Sequence, residues 1–236
     1  MIVVNNPNNP TGATIPEALL RDIVDFARAR DIVVLSDEVY RPLFHGLPEA
    51  DVPPSVLSFG YEKTVSTGSM SKAYSLAGIR LGWVASRDKG IVEAVAAARD
   101  YTTISVSQLD DQVASYALSN EALPALMERN MQLARTNAKL LGDFVVRHAS
   151  VCSWLPPTAG TTAFVQFRSG GEPVDDEKFS LDVLQTTKVL FMPGSRCFGH
   201  SKDFKGFVRI GYVCETSVLE EALGKLGEYV EENLVS

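Results

Sequence analysis

The chain has 236 residues, of which 45% are hydrophobic and 22% are charged, and its net charge is −7. This composition is that of a soluble globular protein and excludes a disordered chain, which combines low hydrophobicity with high charge. The acidic balance argues against binding to nucleic acid or an anionic membrane, and no run of about 18 apolar residues predicts a membrane span. The three cysteines form no CxxC motif, which is typical of the reducing cytoplasm and predicts no metal site.

The first half of the chain predicts an α/β unit with a mainly parallel sheet. Short apolar runs indicate strands that are covered on both faces, and apolar residues at helical spacing indicate the crossover helices between them. The predicted strands cover residues 2–4, 32–38, 64–70 and 79–86. The predicted helices cover residues 15–30, 88–100, 107–118 and 123–148.

The second half of the chain predicts a smaller α+β unit. Its strands are expected at residues 161–167, 189–192 and 206–213, and its helices at 176–187 and 216–232. We place the boundary within the long helix, which gives a first domain of residues 1–130 and a second of residues 131–236.

The opening residues indicate that the chain lacks the front part of a larger architecture. The strand at Ile2–Val4 starts almost at once and runs directly into the turn-rich segment Asn5–Gly12. A parallel sheet that starts in this way is expected to leave one edge strand exposed, and an exposed edge can pair with another chain.

Four short motifs carry residues that suit catalysis, although each alone has a simpler structural explanation. Asn9 lies in an Asn-Pro-Thr-Gly turn after a strand, where open α/β sheets bind ligands. Asp37 and Tyr40 follow a buried strand, and an acid there can equally cap a helix or bind a metal. Lys72 lies in a Ser-rich turn and could form a Schiff base, or could be an exposed charge. Arg80 suits a phosphate as well as it suits a structural ion pair.

Taken in order, these motifs resemble the class I/II aminotransferases, which are pyridoxal 5′-phosphate (PLP) enzymes of fold type I. The order is Asn-Pro-Thr-Gly, Asp-x-x-Tyr, Ser-x-Ser-Lys and Gly-x-Arg-x-Gly. The resemblance continues in the segments 191–199 and 208–210, so it covers essentially the whole chain. It implies a partial large domain of the PLP-dependent transferase type, followed by the smaller α+β domain.

The resemblance implies a role in cofactor binding for several of these residues. Lys72 would hold PLP as a Schiff base and then act as the general base. Asp37 would pair with the pyridine nitrogen and so make the ring an electron sink. Asn9 and Tyr40 would hydrogen-bond the phenolic oxygen of the cofactor.

Phosphate and substrate binding follow from the same resemblance. Ser69 and Arg80 would bind the phosphate of PLP. Arg209, together with Asn9, would bind the α-carboxylate of the substrate.

The implied reaction transfers the amino group of an α-amino acid to a 2-oxo acid, in a protein that forms homodimers. The family's upstream segment, which carries a phosphate-binding loop and a ring-stacking aromatic residue, has no counterpart in this sequence, and its loss predicts weak retention of PLP. Two alternatives stay open. One is a PLP enzyme with another outcome (lyase, racemase or biosynthetic condensation), and the other is a non-catalytic remnant that serves as a scaffold.

Overall fold

The computed structural model describes residues 1–235, which form two compact units. The first unit comprises residues 1–8, 13–131 and 158–160. The second comprises residues 9–12, 132–157 and the described chain from residue 161 onward. The predicted division into domains 1–130 and 131–236 stays a prediction. Within the described residues, no helix combines the length and the apolar character that crossing a membrane requires.

The first unit is built on a four-stranded sheet in the order β1-β2-β3-β4. Its strands are β1 (Ile2–Asn5), β2 (Val34–Asp37), β3 (Thr64–Ser69) and β4 (Gly82–Ser86). The first three strands are parallel, whereas β4 pairs with β3 in the antiparallel sense. Because β1, β2 and β3 run in the same direction, their carboxyl ends lie along the same edge of the sheet.

The helices of the first unit begin and end close to the predicted positions. They are α1 (Glu17–Arg28), α2 (Lys89–Arg99), α3 (Gln108–Ala117) and the start of α4 (Leu123–Arg147), which continues into the second unit. Helix α1 buries Leu20, Val24 and Ala27, whose spacing of four and three residues forms one face of a helix. Side-chain caps define the start of α2 at Asp88 and of α3 at Ser107.

Apolar side chains are exposed along both edges of the described sheet and on the helices that follow it. Strand β1 is an end strand of the described sheet, and its Val3 is 61% exposed on one face, whereas the expected pairing of this edge with another chain stays a prediction. At the other end, β4 exposes Trp83 and Val84. Within α2, all of whose residues are described, no side chain is buried. Further along, Tyr101 and Leu109 are also exposed. A surface of this kind is typical of an interface with more polypeptide.

The second unit is an antiparallel sheet packed against helices. Its main strand order is β5-β6-β9-β8, and β7 pairs with β6 off this path. The strands are β5 (Cys152–Trp154), β6 (Thr162–Ser169), β7 (Glu172–Pro173), β8 (Met192–Pro193) and β9 (Phe207–Gly211). The helices are α5 (Asp176–Thr187), α6 (Gly194–Phe198) and α7 (Thr216–Asn233). The core lies between the sheet and the C-terminal part of α4, where Leu141 and Phe144 pack with Val165 and Phe167.

The strand predicted at residues 189–192 is wrong over most of its length, since β8 contains only Met192 and Pro193. Strand β9 pairs with these two residues alone. The residues just before β8 are held by contacts other than strand pairing. Lys188 ends α5 in the left-handed conformation, and Val189 N donates to the hydroxyl of Thr187.

Candidate active site

Asp37 lies at the carboxyl end of β2, where neighbouring strands fix both its backbone and its carboxylate. Its Oδ1 accepts a hydrogen bond from the hydroxyl of Thr67 at 3.1 Å and lies 3.3 Å from the backbone nitrogen of Val39. Its carbonyl oxygen accepts from the backbone nitrogen of Asn6 at 3.0 Å and from Nδ2 of Asn5 at 3.3 Å. Thr67 of β3 and the backbone of Val39 therefore orient the carboxylate, and Asn5 and Asn6 fix the backbone.

Tyr40 is buried, and its ring lies between the backbone of Gly160 and the side chain of Lys72. A Cβ built at Gly160 would lie 3.5 Å from the ring carbons of Tyr40. Because Gly160 also has φ of +77°, the position suits glycine on conformational grounds. Nζ of Lys72 lies 6.0 Å from the centroid of the same ring. The structure thus brings two of the predicted site residues together.

The buried Glu38 and the partly buried Arg41 form an ion pair that closes the turn after Asp37. One carboxylate oxygen of Glu38 accepts from the backbone nitrogen of Val56 at 3.1 Å, and the other lies 3.5 Å from Nε of Arg41. Arg41 in turn donates to the carbonyl of Pro53. Burial lowers the pKa of Arg41, and the neighbouring Glu38 raises it in part. The pair ties the segment that carries Asp37 and Tyr40 to the loop that follows it.

Ser69, Ser71 and Arg80 form a polar cluster around the turn between β3 and β4. The hydroxyl of Ser69 lies 2.9 Å from that of Ser71 and accepts from the backbone nitrogen of Ser71 at 3.0 Å. The guanidinium of Arg80 donates to Ser71 Oγ at 3.4 Å and to the carbonyl of Ala77 at 2.8 Å. Arg80 has φ of +52°, which is an uncommon conformation for a residue with a side chain. Two hydroxyls and a guanidinium are suitable donors for an anion such as phosphate.

Lys72 is exposed on the same turn, but the residues around it are fixed. The backbone nitrogen of Leu76 donates to the carbonyl of Met70 at 2.9 Å, and that of Ser75 donates to the carbonyl of Lys72 at 3.0 Å. The side chains of Met70 and Ala73 are fully buried. An exposed amine is therefore presented on a turn whose flanking residues are anchored in the core.

Arg209 and Asn9 are hydrogen-bonded to each other in the second unit. Nη1 of Arg209 donates to Oδ1 of Asn9 at 3.1 Å. The guanidinium carbon of Arg209 lies 5.5 Å from the ring centroid of Phe198, a distance at which a cation and an aromatic face attract. Strand β9 carries Arg209, and α6 carries Phe198. These contacts hold a guanidinium in one orientation, as bidentate binding of a carboxylate requires.

A buried carboxylate organises the loop that contains Phe198. Oδ2 of Asp176 accepts from the backbone nitrogen of Ser195 at 2.9 Å and from its hydroxyl at 2.8 Å. Oδ1 accepts from the backbone nitrogen of Gly206 at 3.2 Å. Asp176 thus ties the start of α6 to the residue before β9, and so fixes both elements that orient Arg209.

The structure places the sequence-predicted residues in two groups. Asp37, Tyr40, Ser69, Lys72 and Arg80 belong to the first unit, and Asn9 and Arg209 belong to the second. Their individual roles stay predictions.

Several residues that support these groups were not predicted from the sequence. Thr67 has the clearest signal in the sequence, because it lies two residues before Ser69 and therefore on the same face of β3. Glu38, Gly160 and Asp176 gave no comparable signal, since their partners are distant in the sequence.

The chain was also compared with known proteins. A sequence model of the family described as "Aminotransferase class I and II" matches residues 1–226. The chain belongs to this family. The resemblance stated from the motifs is therefore confirmed, and members of the family depend on PLP.

Relatives and solved structures agree with this assignment. A capreomycidine synthase of Streptomyces vinaceus is 31% identical over 229 residues, which cover 97% of this chain and 55% of the relative. An aspartate aminotransferase of Thermotoga maritima is 30% identical over 233 residues, with the same coverage of both chains. The solved structure of a PLP-dependent aminotransferase from Streptococcus suis matches with a TM-score of 0.85 and 35% identity, over 98% of this chain and 57% of that one. The predicted fold class is confirmed, and the chain spans about half the length of the curated relatives it matches.

The groups found in the first unit fit PLP chemically. The cofactor presents an aldehyde, a pyridine nitrogen, a phenolic oxygen and a phosphate. The first unit offers an amine at Lys72, a carboxylate at Asp37, a phenol at Tyr40, and the hydroxyl and guanidinium donors around Ser69 and Arg80. Each functional group of the cofactor therefore has a complementary side chain in this chain.

Proposed function

We propose that this protein is a PLP-dependent aminotransferase, which transfers the amino group of an α-amino acid to a 2-oxo acid. The observation that carries the proposal is the position of Lys72 Nζ, 6.0 Å from the ring centroid of Tyr40, in a chain of this family. PLP, when bound, supplies a carbonyl that condenses with amines and a ring that withdraws electrons from the substrate Cα.

In this proposal the residues of the first unit hold the cofactor and move one proton. Lys72 would hold the cofactor through its aldehyde, and its amine, when free, would take the proton from the substrate Cα. Asp37 pairs with the pyridine nitrogen, and its hydrogen bond from Thr67 keeps the carboxylate in one orientation. The hydroxyl of Tyr40 would donate a hydrogen bond to the phenolic oxygen of the cofactor.

Ser69 and Arg80 bind the phosphate in the same proposal. Arg80 already donates to Ser71 Oγ, and Ser71 is bonded to Ser69, so the three side chains are preorganised around the turn. Ser71 is a further phosphate ligand on this account. A guanidinium with hydroxyl neighbours suits the charge and the geometry of a phosphate.

Arg209 binds the substrate α-carboxylate as a bidentate pair, and Asn9 assists it. The support is the 3.1 Å hydrogen bond between the two side chains and the packing of Arg209 against Phe198. An amide oxygen and an aromatic face hold the guanidinium without neutralising its charge, which stays available for an anionic substrate. The contribution of Asn9 to cofactor binding stays a prediction from the family resemblance.

The experiment that tests the proposal is a half-reaction. The protein is loaded with PLP and mixed with single amino acids in the absence of any 2-oxo acid, and pyridoxamine phosphate is quantified by chromatography. The proposal predicts stoichiometric pyridoxamine phosphate and one oxo acid for at least one amino acid, and neither product with Lys72→Ala. Bound PLP that no amino acid converts would overturn the aminotransferase assignment.

A second candidate is a PLP enzyme with a different outcome, such as a lyase, a racemase or a biosynthetic synthase. The observation that favours it is the 31% identity to a protein named capreomycidine synthase. The same half-reaction separates the two candidates. The second predicts regenerated PLP and no pyridoxamine phosphate, with an isomerised or new amino acid from a racemase or a synthase and an amine, or an oxo acid with ammonia, from a lyase.

We also propose that the protein forms a homodimer in the cytoplasm. Exposed apolar side chains such as Tyr101 and Leu109 support association. The free cysteines Cys152, Cys197 and Cys214 are consistent with a reducing compartment. Light scattering at several protein concentrations tests the dimer, and cell fractionation tests the compartment.

A further inference from the structure

A buried asparagine of α4 is hydrogen-bonded to the turn that carries Lys72. Asn130 is 1% exposed, and its Nδ2 donates to the carbonyl oxygen of Ala73 at 2.8 Å. Ala73 is the residue that follows Lys72, and it lies 57 positions from Asn130 in the sequence. The bond therefore joins a distant helix to the backbone immediately beside the reactive lysine.

The side-chain amide of Asn130 can bind in only one orientation here. The carbonyl of Ala73 can only accept a hydrogen bond, so the nitrogen of the amide must face it. The amide oxygen, on the opposite side, accepts from Nη1 of Arg129 at 3.1 Å. A charged donor on one side and a backbone acceptor on the other hold the amide firmly.

The hydrogen bond from Asn130 adds a further constraint to the backbone of the turn that carries Lys72. The carbonyls of Met70 and Lys72 are already taken by the backbone nitrogens of Leu76 and Ser75. Asn130 fixes the next peptide group, that of Ala73. With constraints at the carbonyls of Met70, Lys72 and Ala73, the backbone of Lys72 points its side chain in a defined direction.

The presence of an asparagine at this buried position of α4 also needs a physical explanation. Asparagine is a poor helix former, and burying a polar amide costs free energy unless it is fully hydrogen-bonded. A leucine of similar size would favour both the helix and the apolar interior. An asparagine here is thus better explained by what it binds than by what it adds to the stability of α4.

We propose that Asn130 is a positioning residue for Lys72, which sets the direction in which the lysine amine is presented to PLP. This inference rests on the proposed function of Lys72. Asn130 acts through the backbone of Ala73 and touches neither the cofactor nor the substrate in this account.

The test measures where PLP attaches and how rigidly it is held. The purified chain is mixed with PLP and reduced with borohydride, and the label at Lys72 is divided by the label at Lys178, an exposed lysine of the second unit paired with Asp182. The circular dichroism of bound PLP, per mole bound, reports whether the cofactor has a fixed orientation. Both measurements are independent of turnover.

Three variants probe the bond, and one serves as a matched control. Asn130→Leu and Asn130→Ala both remove the donor, with different effects on packing. Arg129→Met, at an exposed position, leaves Asn130 in place but releases its oxygen. The control is Thr64→Val, which removes a fully buried hydroxyl that donates to the carbonyl of Tyr61 at 2.7 Å in the same unit.

The inference predicts that the Lys72 to Lys178 label ratio falls about fivefold or more in both Asn130 variants, as expected when one hydrogen bond that holds the turn is lost. The circular dichroism signal of bound PLP falls in the same two variants. Arg129→Met shows a smaller change in the same direction, and Thr64→Val matches the wild type.

If wild type labels Lys72 and the Asn130 variants label it equally, the inference is wrong. An equal fall in Thr64→Val also overturns it, because the effect is then general destabilisation. Absence of label at Lys72 in wild type contradicts the proposed function instead.

Discussion

The hydroxyl of Thr67 donates a hydrogen bond to the carboxylate of Asp37 at 3.1 Å, across the parallel pairing of β3 with β2. The two residues are register partners, so the bond follows directly from the alignment of the strands. Asp37 is the residue that pairs with the pyridine nitrogen in our proposal, and Thr67 is the side chain that sets its orientation.

The first prediction concerns Thr67. Replacing it with valine keeps the β-branched shape that suits the strand but removes the hydroxyl. We expect the dissociation constant for PLP to rise by roughly tenfold, since a hydrogen bond to a charged group contributes about 1.5–3 kcal/mol. Titration of PLP absorbance measures it. Thr67→Ser retains the hydroxyl and should bind nearly as well as wild type. Equal affinity of Thr67→Val and wild type would show that Thr67 does not orient Asp37 for the cofactor.

The second prediction concerns Arg209. Arg209→Ala removes the guanidinium that Asn9 and Phe198 hold in place. KM for the amino acid should rise more than about tenfold, because a bidentate charged pair is lost. Arg209→Lys keeps the charge without the planar fork, and its KM should lie between the two. Steady-state kinetics at varied amino acid concentration measures both, and an unchanged KM in Arg209→Ala excludes Arg209 from the carboxylate site.

The third prediction compares two glycines of α7. Apart from its chain neighbours and the backbone of its own helix, no described atom lies within 4 Å of a Cβ built at Gly224, whereas a Cβ at Gly227 would lie 3.3 Å from Nε2 of His148. Gly224→Ala should raise the free energy of unfolding by about 0.5–1 kcal/mol through helix propensity alone. Gly227→Ala should lower it, since crowding a packed core typically costs about 1–3 kcal/mol. Denaturant unfolding followed by circular dichroism compares them, and equal effects would mean that His148 does not pack against α7.

The fourth prediction is a pH dependence that arises from His148. This residue is 4% exposed, packs on Phe144, and among the described residues has no hydrogen-bond partner for Nε2. Burial lowers the pKa of His148 below its ordinary value of about 6.5, Glu231 partly opposes this, and Arg147 adds to it. The unfolded chain therefore binds the proton more readily than the folded one.

Above pH 6.5 the imidazole of His148 is neutral in both states, and the free energy of unfolding carries no penalty from it. As the pH falls from 6.5 through the folded pKa, the unfolded chain binds the proton first and the free energy of unfolding decreases. His148→Phe keeps a ring against Phe144 without a titrating group, so its stability should depend less on pH over this interval. His200→Asn, at an exposed position with positive φ, serves as the control and should keep the wild-type slope. Denaturant midpoints at several pH values measure the slopes. Parallel profiles for wild type and His148→Phe would remove His148 as the source.

The elements that the sequence predicted well share one property, which is a strong local pattern. Helix α4 was predicted at residues 123–148 and is observed at Leu123–Arg147, because its apolar residues recur over seven turns. Strand β5 has three residues and α6 has five, which is too short for either period to show. Strand β4 begins at Gly82, later than predicted, because Ala77–Ile79 form a 3₁₀ turn and Arg80 takes a positive φ.

The residues of the candidate site also differ in whether a local sequence pattern indicates them. Lys72 and Arg80 could be singled out from the sequence because their spacing within one motif is local, and their roles stay predictions. The residues that form hydrogen bonds to the site from distant parts of the sequence were not predictable. Thr67 meets Asp37 only through the register of two strands that are 30 residues apart, and Asn130 meets Ala73 only when α4 packs on the turn. Long-range hydrogen bonds of this kind depend on the tertiary fold, which no local pattern encodes.

The central claim is that Lys72 is the lysine that binds PLP, and reductive trapping tests it most directly. The purified chain is mixed with PLP and reduced with borohydride, and the labelled peptides are mapped by mass spectrometry beside those of Lys72→Ala. Our account predicts one dominant label on the peptide that contains Lys72, and its loss in the variant without a compensating label elsewhere. Label spread evenly over the exposed lysines, and unchanged in Lys72→Ala, would contradict it.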